Sequence, residues 1–113
     1  MKKHHSISKL VCVALLAICS KSYSQTNTHI SSINLFPNPA VDGINITFES
    51  DTAGIIVIDV NDLSGRKPIQ INTEVVNGFN RIVINLNDID PDIYFINLCS
   101  KEETETREFL KEE

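Results

Sequence analysis

Tryptophan is absent from this chain, and glycine is scarce, at four of 113 residues. Asn and Asp must therefore make most of the turns, because their short polar side chains tolerate turn conformations and hydrogen-bond to nearby backbone. No segment combines the length and the 3.6-residue apolar period of a buried helix, which excludes a parallel βαβ arrangement. There is no CxxC pair, no HExxH, no glycine-rich phosphate loop and no Ser-His-Asp set. No catalytic constellation can be assembled, so the chain is expected not to be an enzyme and to need no cofactor. The longest apolar run, Leu10 to Ile18, falls short of the roughly 20 residues that span a bilayer.

That run has a different use. Lys2, Lys3 and Lys9 precede or enter it, and Ser22-Tyr23-Ser24 follows with small residues where a signal peptidase reads. Residues 1–24 therefore read as a secretory signal peptide cut before Gln25. Leu16-Ala17-Ile18-Cys19 partly matches a lipoprotein box, although Ile18 is bulky for the residue before the cysteine. Lipidation at Cys19 is the lesser alternative, and would hold the protein on a membrane.

Removing residues 1–24 takes away Lys2, Lys3, Lys9 and Lys21 and no acid. The remainder carries 6 basic and 15 acidic residues, a net of −9, which excludes nucleic acid and charge-driven binding to anionic lipid. It keeps only Cys99, so this part can form no disulfide within itself. About 89 residues must hold together by a core alone, which is marginal but feasible at this size.

Gln25 to Ser32 is polar and aperiodic and is expected to be a tether. From Ile33 onward, short apolar runs alternate with turn signals. Ile33–Phe36 is the first run, and Pro37-Asn38-Pro39 stops it, since proline lacks the N–H a central strand needs. Asp42-Gly43 turns the chain into Ile44, Ile46 and Phe48, alternating with Asn45, Thr47 and Glu49. Ile55–Val60 suits a central strand, and Ser64-Gly65 turns it toward Ile69 and Ile71. Asn77-Gly78 is the strongest short-range hairpin signal. Ile82, Ile84 and Leu86 follow, then the loop Asn87–Asp92, then Tyr94, Ile96 and Leu98. The tail Lys101–Glu113 is rich in Glu and Lys, which favours helix. Thr104, Thr106 and Phe109, with the need to close a sheet edge, favour a last strand. Six or seven such strands predict an all-β antiparallel sandwich.

Three patches carry a further signal: Leu35-Phe36-Pro37-Asn38-Pro39-Ala40 followed by Asp42-Gly43; Ile58-Asp59-Val60-Asn61-Asp62-Leu63-Ser64-Gly65-Arg66; and Ile89–Leu98 around Tyr94. In this order and spacing the chain resembles the type A C-terminal sorting domain of type IX secretion cargo, found in Bacteroidetes-type bacteria. The family's motif residues correspond to Leu35, Phe36, Pro37, Asn38, Pro39, Asp59, Leu63, Gly65, Arg66 and Tyr94. Asp92 stands where the family usually has Gly, predicting a different or slightly strained loop, and the acidic ending Lys111-Glu112-Glu113 departs from its basic or amide-rich one.

The resemblance implies a small immunoglobulin-like β-sandwich of about seven strands over residues 33–113, with no enzymatic activity. It implies Sec-dependent export, folding in the periplasm, and docking on the type IX outer-membrane translocon. A surface sortase would then cut the tether, here within Thr26–Ser32, and cargo would be released or joined to lipopolysaccharide at the cell surface. On this chain no cargo domain lies between signal peptide and sorting domain. The alternative is a small surface adhesion or ligand-binding module of the same fold.

Among other chemical candidates, Asp88, Asp90 and Asp92 mimic the start of a calcium loop. The sixth and twelfth positions, where Gly and Glu belong, hold Ile93 and Cys99, so the residues read as a solvated turn. Cys99 could act as a nucleophile only beside a base. Outside the signal segment the one histidine is His29, in the tether, so Cys99 reads as a small buried side chain at a strand end.

Overall fold

A computed structural model describes residues 26–113. The expected signal peptide, residues 1–24, and Cys19 lie outside the described residues. Seven strands follow one another: β1 (Ile30–Phe36), β2 (Gly43–Ser50), β3 (Gly54–Asp62), β4 (Ile69–Val75), β5 (Gly78–Asn85), β6 (Asp92–Cys99) and β7 (Thr104–Lys111). They form a three-stranded sheet in the order β1-β2-β5 and a four-stranded sheet in the order β4-β3-β6-β7. Every ladder is antiparallel. The ambiguous tail is the edge strand β7, with Phe109 opposite Tyr94 on β6.

Alternation of apolar and polar residues aims one face of each sheet at the other. From the first sheet come Ile44, Ile46 and Phe48 of β2 and Ile84 of β5, all 4% exposed or less. From the second come Ile56, Ile58, Val60, Ile96, Leu98, Tyr94 and Phe109, likewise buried. The ring of Tyr94 stacks on that of Phe109, centroids 5.7 Å apart.

Two expectations are corrected. The first concerns the tether, whose last three residues, Ile30 to Ser32, are already part of β1. Ile30 is 3% exposed and belongs to the core. A bulge between Ser31 and Asn34 explains why the alternation hides this. Ser31 faces Glu49 but Asn34 faces Thr47, so β1 holds one residue more than its partner, and Ser32 takes the left-handed φ of 56°. The extra residue changes the parity of the strand. Ile30 points into the core before the bulge, and Ile33 and Leu35 pack against that core after it.

The second correction concerns Asn77-Gly78, which is no β-hairpin. β4 pairs with β3 and β5 with β2, so the turn carries the chain from one sheet to the other. Asn80 closes it: its Oδ1 accepts Val76 N–H at 2.9 Å, and its Nδ2 donates to the carbonyls of Val76 and Gly78 at 2.9 and 3.0 Å. Gly78 supplies the φ of 107° that a residue with a Cβ adopts only with strain.

Each pole of the sandwich is clasped. At one, Ala40 of the β1–β2 loop bridges to Lys111, its N–H donating to Leu110 O at 2.8 Å while Glu112 N–H donates to Ala40 O at 2.7 Å. At the other, Thr26 N–H donates to Ile55 O at 2.9 Å and Lys101 N–H donates to Thr26 O at 3.0 Å. There His29 Nδ1 lies 2.9 Å from Glu103 Oε2.

Two measurements test this account. Ile58→Ala, at a fully buried central site, is expected to cost about 2–5 kcal/mol in chemical denaturation; a loss below about 1 kcal/mol would mean that the sheets do not meet there. The second uses pH. The hydrogen bond that the His29 ring donates to Glu103, then the Glu103 charge, hold the His29 pKa above its ordinary 6.5, with Asp51 and Glu105 adding to the rise. A raised folded-state pKa stabilises fully below pH 6.5 and is lost as pH rises through the raised value. The midpoint advantage of wild type over His29→Gln should shrink in that direction, and a difference independent of pH would contradict the pairing.

Candidate functional site

The three sequence patches meet at the pole where β1, β3, β5 and β7 end. The turn after β3 is built on Asp62. Its Oδ1 accepts the N–H groups of Ser64 and Arg66, both at 2.9 Å, and the Ser64 hydroxyl at 2.7 Å. Its Oδ2 accepts Arg66 Nε at 2.9 Å. A carboxylate with two oxygens and several lone pairs can organise a whole turn in this way. The Ser64 hydroxyl chiefly, with the Arg66 N–H and the Arg66 charge, holds the Asp62 carboxyl below its ordinary range against the opposing effect of burial. Gly65 completes the turn at φ 93°, which only glycine takes without cost. Leu63 is left at the tip, 64% exposed.

Asp62 sits opposite Tyr94 in the ladder between β3 and β6, and Tyr94 sits opposite Phe109 on β7. The Tyr94 hydroxyl donates to Asp90 O at 2.6 Å, which ties the β5–β6 loop to the core. Burial first, then the charges of Asp92, Asp90 and Asp62, raise the Tyr94 pKa above its ordinary value, so the phenol keeps its proton. One step further along β7, Leu110 N–H donates to Asn38 Oδ1 at 3.1 Å. The Pro37-Asn38-Pro39 loop, with both X-Pro bonds cis, therefore grips the last strand. A continuous line of contacts runs from Asn38 through Leu110, Phe109 and Tyr94 to Asp62 and Arg66.

Between the turn and the β5–β6 loop lies an open recess of about 260 Å³. Asp62, Arg66, Lys67, Asp88, Asp90 and Tyr94 are among its walls. Among the described residues no group of three or more His, Cys, Asp or Glu could hold a metal. Asp92, expected to strain its loop, is absent from the positive-φ positions and opens β6 without a left-handed backbone.

The other motif residues take separate parts. Leu35 packs on the core. Phe36 is 44% exposed on the outer face of β1, in one row with Asn45 and Val83. Asp59 is buried three residues before Asp62 on β3, its Oδ2 3.5 Å from Lys67 Nζ. On the outer side of the same sheet, Asn97 Nδ2 donates to Asn61 Oδ1 at 2.6 Å and Thr106 Oγ1 donates to Asn97 Oδ1 at 2.7 Å, locking β3, β6 and β7 in register. Cys99 is 1% exposed at the end of β6, in a small buried cluster with Val57.

Three important residues lie within the quoted sequence but outside its motif set. Asp62 organises the turn, Ala40 clasps Lys111 and Phe109 stacks on Tyr94. Only Asp62 had a local signal, the Asp-x-Ser-Gly turn composition.

Replacing Asp62 by Ala is expected to loosen the 62–66 turn and lower the unfolding midpoint at neutral pH. A depressed folded-state pKa stabilises above the carboxyl's ordinary 3.8 and is lost as pH falls through the depressed value. The gap between wild type and variant should close on acidification in that window; a gap that persists below it would show that Asp62 acts through packing instead.

The family model described as "Secretion system C-terminal sorting domain" matches residues 34–112. No curated protein matches the chain. Among solved structures, a β-glucosidase from Listeria innocua in complex with glucose is similar at 16% identity and a TM-score of 0.43, over 81% of this chain and 16% of that one. β-Glucosidase 3B from Thermotoga neapolitana in complex with glucose is similar at 16% identity and a TM-score of 0.42, over 79% of this chain and 17% of that one. The chain thus spans about a sixth of the length of these enzymes.

Proposed function

The chain belongs to the family of secretion system C-terminal sorting domains, and on that premise we propose that its motif pole is the face read by the type IX outer-membrane translocon. The family is one of non-catalytic sorting domains, whose role implies recognition by the type IX secretion system and export to the cell surface or beyond. In this reading the protein is made with a signal peptide over residues 1–24, crosses the inner membrane by the Sec route and folds in the periplasm. The folded domain then docks on the translocon, and a surface sortase separates it from whatever precedes it. Transfer of the released cargo to lipopolysaccharide is the last step of the same scheme.

One observation carries the proposal. Motif patches 15 or more residues apart in sequence lie at one pole, and the C-terminal strand is fastened into that pole by Asn38 and Ala40. Such an arrangement suits recognition by shape. The Pro37-Asn38-Pro39 loop has few free donors, the Asp62 turn is held by its own hydrogen bonds, and Leu63 and Arg66 project from it. A surface pre-organised in this way loses little conformational freedom on binding.

The test is export of a passenger. A fluorescent protein fused ahead of Thr26, behind the signal peptide, is expected at the cell surface or in the medium of a type IX-competent host. Deleting Phe109–Glu113 should leave it in the periplasm. Leu63→Ala removes an exposed side chain without touching the core, and is expected to lower export several-fold with an unchanged circular dichroism spectrum. Periplasmic retention of the fusion with its native tail would overturn the proposal.

A further inference from the structure

Residues 26–29 do not trail away from the domain as a linker would. Thr26 N–H donates to Ile55 O, Ile55 N–H donates to Thr26 Oγ1 at 2.9 Å, and Lys101 N–H donates to Thr26 O. Thr28 is 1% exposed, with its hydroxyl 3.2 Å from that of Thr52. His29 N–H donates to Asp51 Oδ1 at 2.9 Å, Asp51 N–H donates to His29 O at 3.2 Å, and the His29 ring meets Glu103. Thr26, Thr28 and His29 are thus tied to the β2–β3 turn, the start of β3 and the β6–β7 turn. They fasten both sheets at the pole opposite the motif loops.

Gly54 shows that the fit is built in. A Cβ placed there would collide with Thr26 Cβ, Cγ2 and Oγ1 at once. Gly54 has no left-handed φ to explain the absence of a side chain. The missing side chain makes the seat for Thr26.

We propose that Thr26–His29 is a strap seated on Gly54, which withholds residues 26–32 from proteases in the folded domain and moves the processing cut to a point ahead of Thr26. Proteases bind their substrates as extended, accessible chain, and a segment hydrogen-bonded on both sides must first detach. The strap also sets polarity. Whatever chain precedes Thr26 leaves the sandwich at the pole away from Asn38 and Arg66, so a passenger would not cover the docking face. The inference rests on the sorting reading only in taking a cut ahead of the domain as a step in its life.

Limited proteolysis of the folded full chain with proteinase K, read by intact mass, tests it without any secretion machinery. The wild-type limit fragment is expected to begin at or before Thr26. Gly54→Ala, which fills the seat, and Thr26→Gly, which removes the side chain that occupies it, should each give a fragment beginning within residues 27–32. Its appearance should be at least tenfold faster than any such cut in wild type. A wild-type fragment that already starts inside 27–32 would overturn the proposal. So would variants that still protect this segment, or that are cut throughout β2–β7 as early as within 27–32, because the segment would then not be separable from the fold. Failure of the sorting reading would show in the export assay and leave this result untouched.

Discussion

Two narrow sheets each have one apolar face, and neither can be stable in water unless that face is covered by the other. The contact of Ile44, Ile46 and Phe48 with Ile56, Ile58 and Leu98 is therefore the interaction on which everything else depends. With about 88 described residues the core is thin, and burial leaves little surplus over the entropy of ordering the chain. The structure answers with connections that stitch the two layers. The turn at Gly78 changes sheets, Ala40 reaches across to Lys111, and Thr26 spans Ile55 and Lys101. Each clasp is a few backbone hydrogen bonds of modest net worth. Together they fix how the layers sit on each other.

The motif pole follows from that core. Tyr94 and Phe109 belong to the buried cluster, yet they also carry the β5–β6 loop and the end of β7. The surface offered by Pro37, Asn38, Leu63 and Arg66 is thereby anchored on packed aromatic rings. A partner that reads this surface reads the folded state, since unfolding separates residues 38, 66 and 94 and leaves only short peptide motifs. A sorting signal of this kind would pass only domains that have completed their core.

Most of the strand positions were legible in the chain itself. Period-two alternation at Ile44-Ile46-Phe48, Ile82-Ile84 and Tyr94-Ile96-Leu98 gives strands whose inner faces are unambiguous, because a strand buried on one face must alternate. The failures have specific causes. Ile30 was missed because the bulge at Ser32 shifts the parity between Ile30 and Ile33, and alternation cannot reveal its own phase change. The Asn77-Gly78 pair predicted a turn correctly, but a two-residue turn signal does not say whether its flanking strands pair or part.

The sequence alone determined the all-β class of the domain, where most of its turns fall, and the inner faces of its alternating strands. These are properties of nearest neighbours and of alternation, so they are written locally. Only the tertiary structure decided that Asn38 holds Leu110, that Tyr94 lies between Asp62 and Phe109, and that Thr26 is seated on Gly54. Those pairings join residues 15 to 72 positions apart, and closing such loops depends on how two whole sheets meet, a quantity no local pattern encodes.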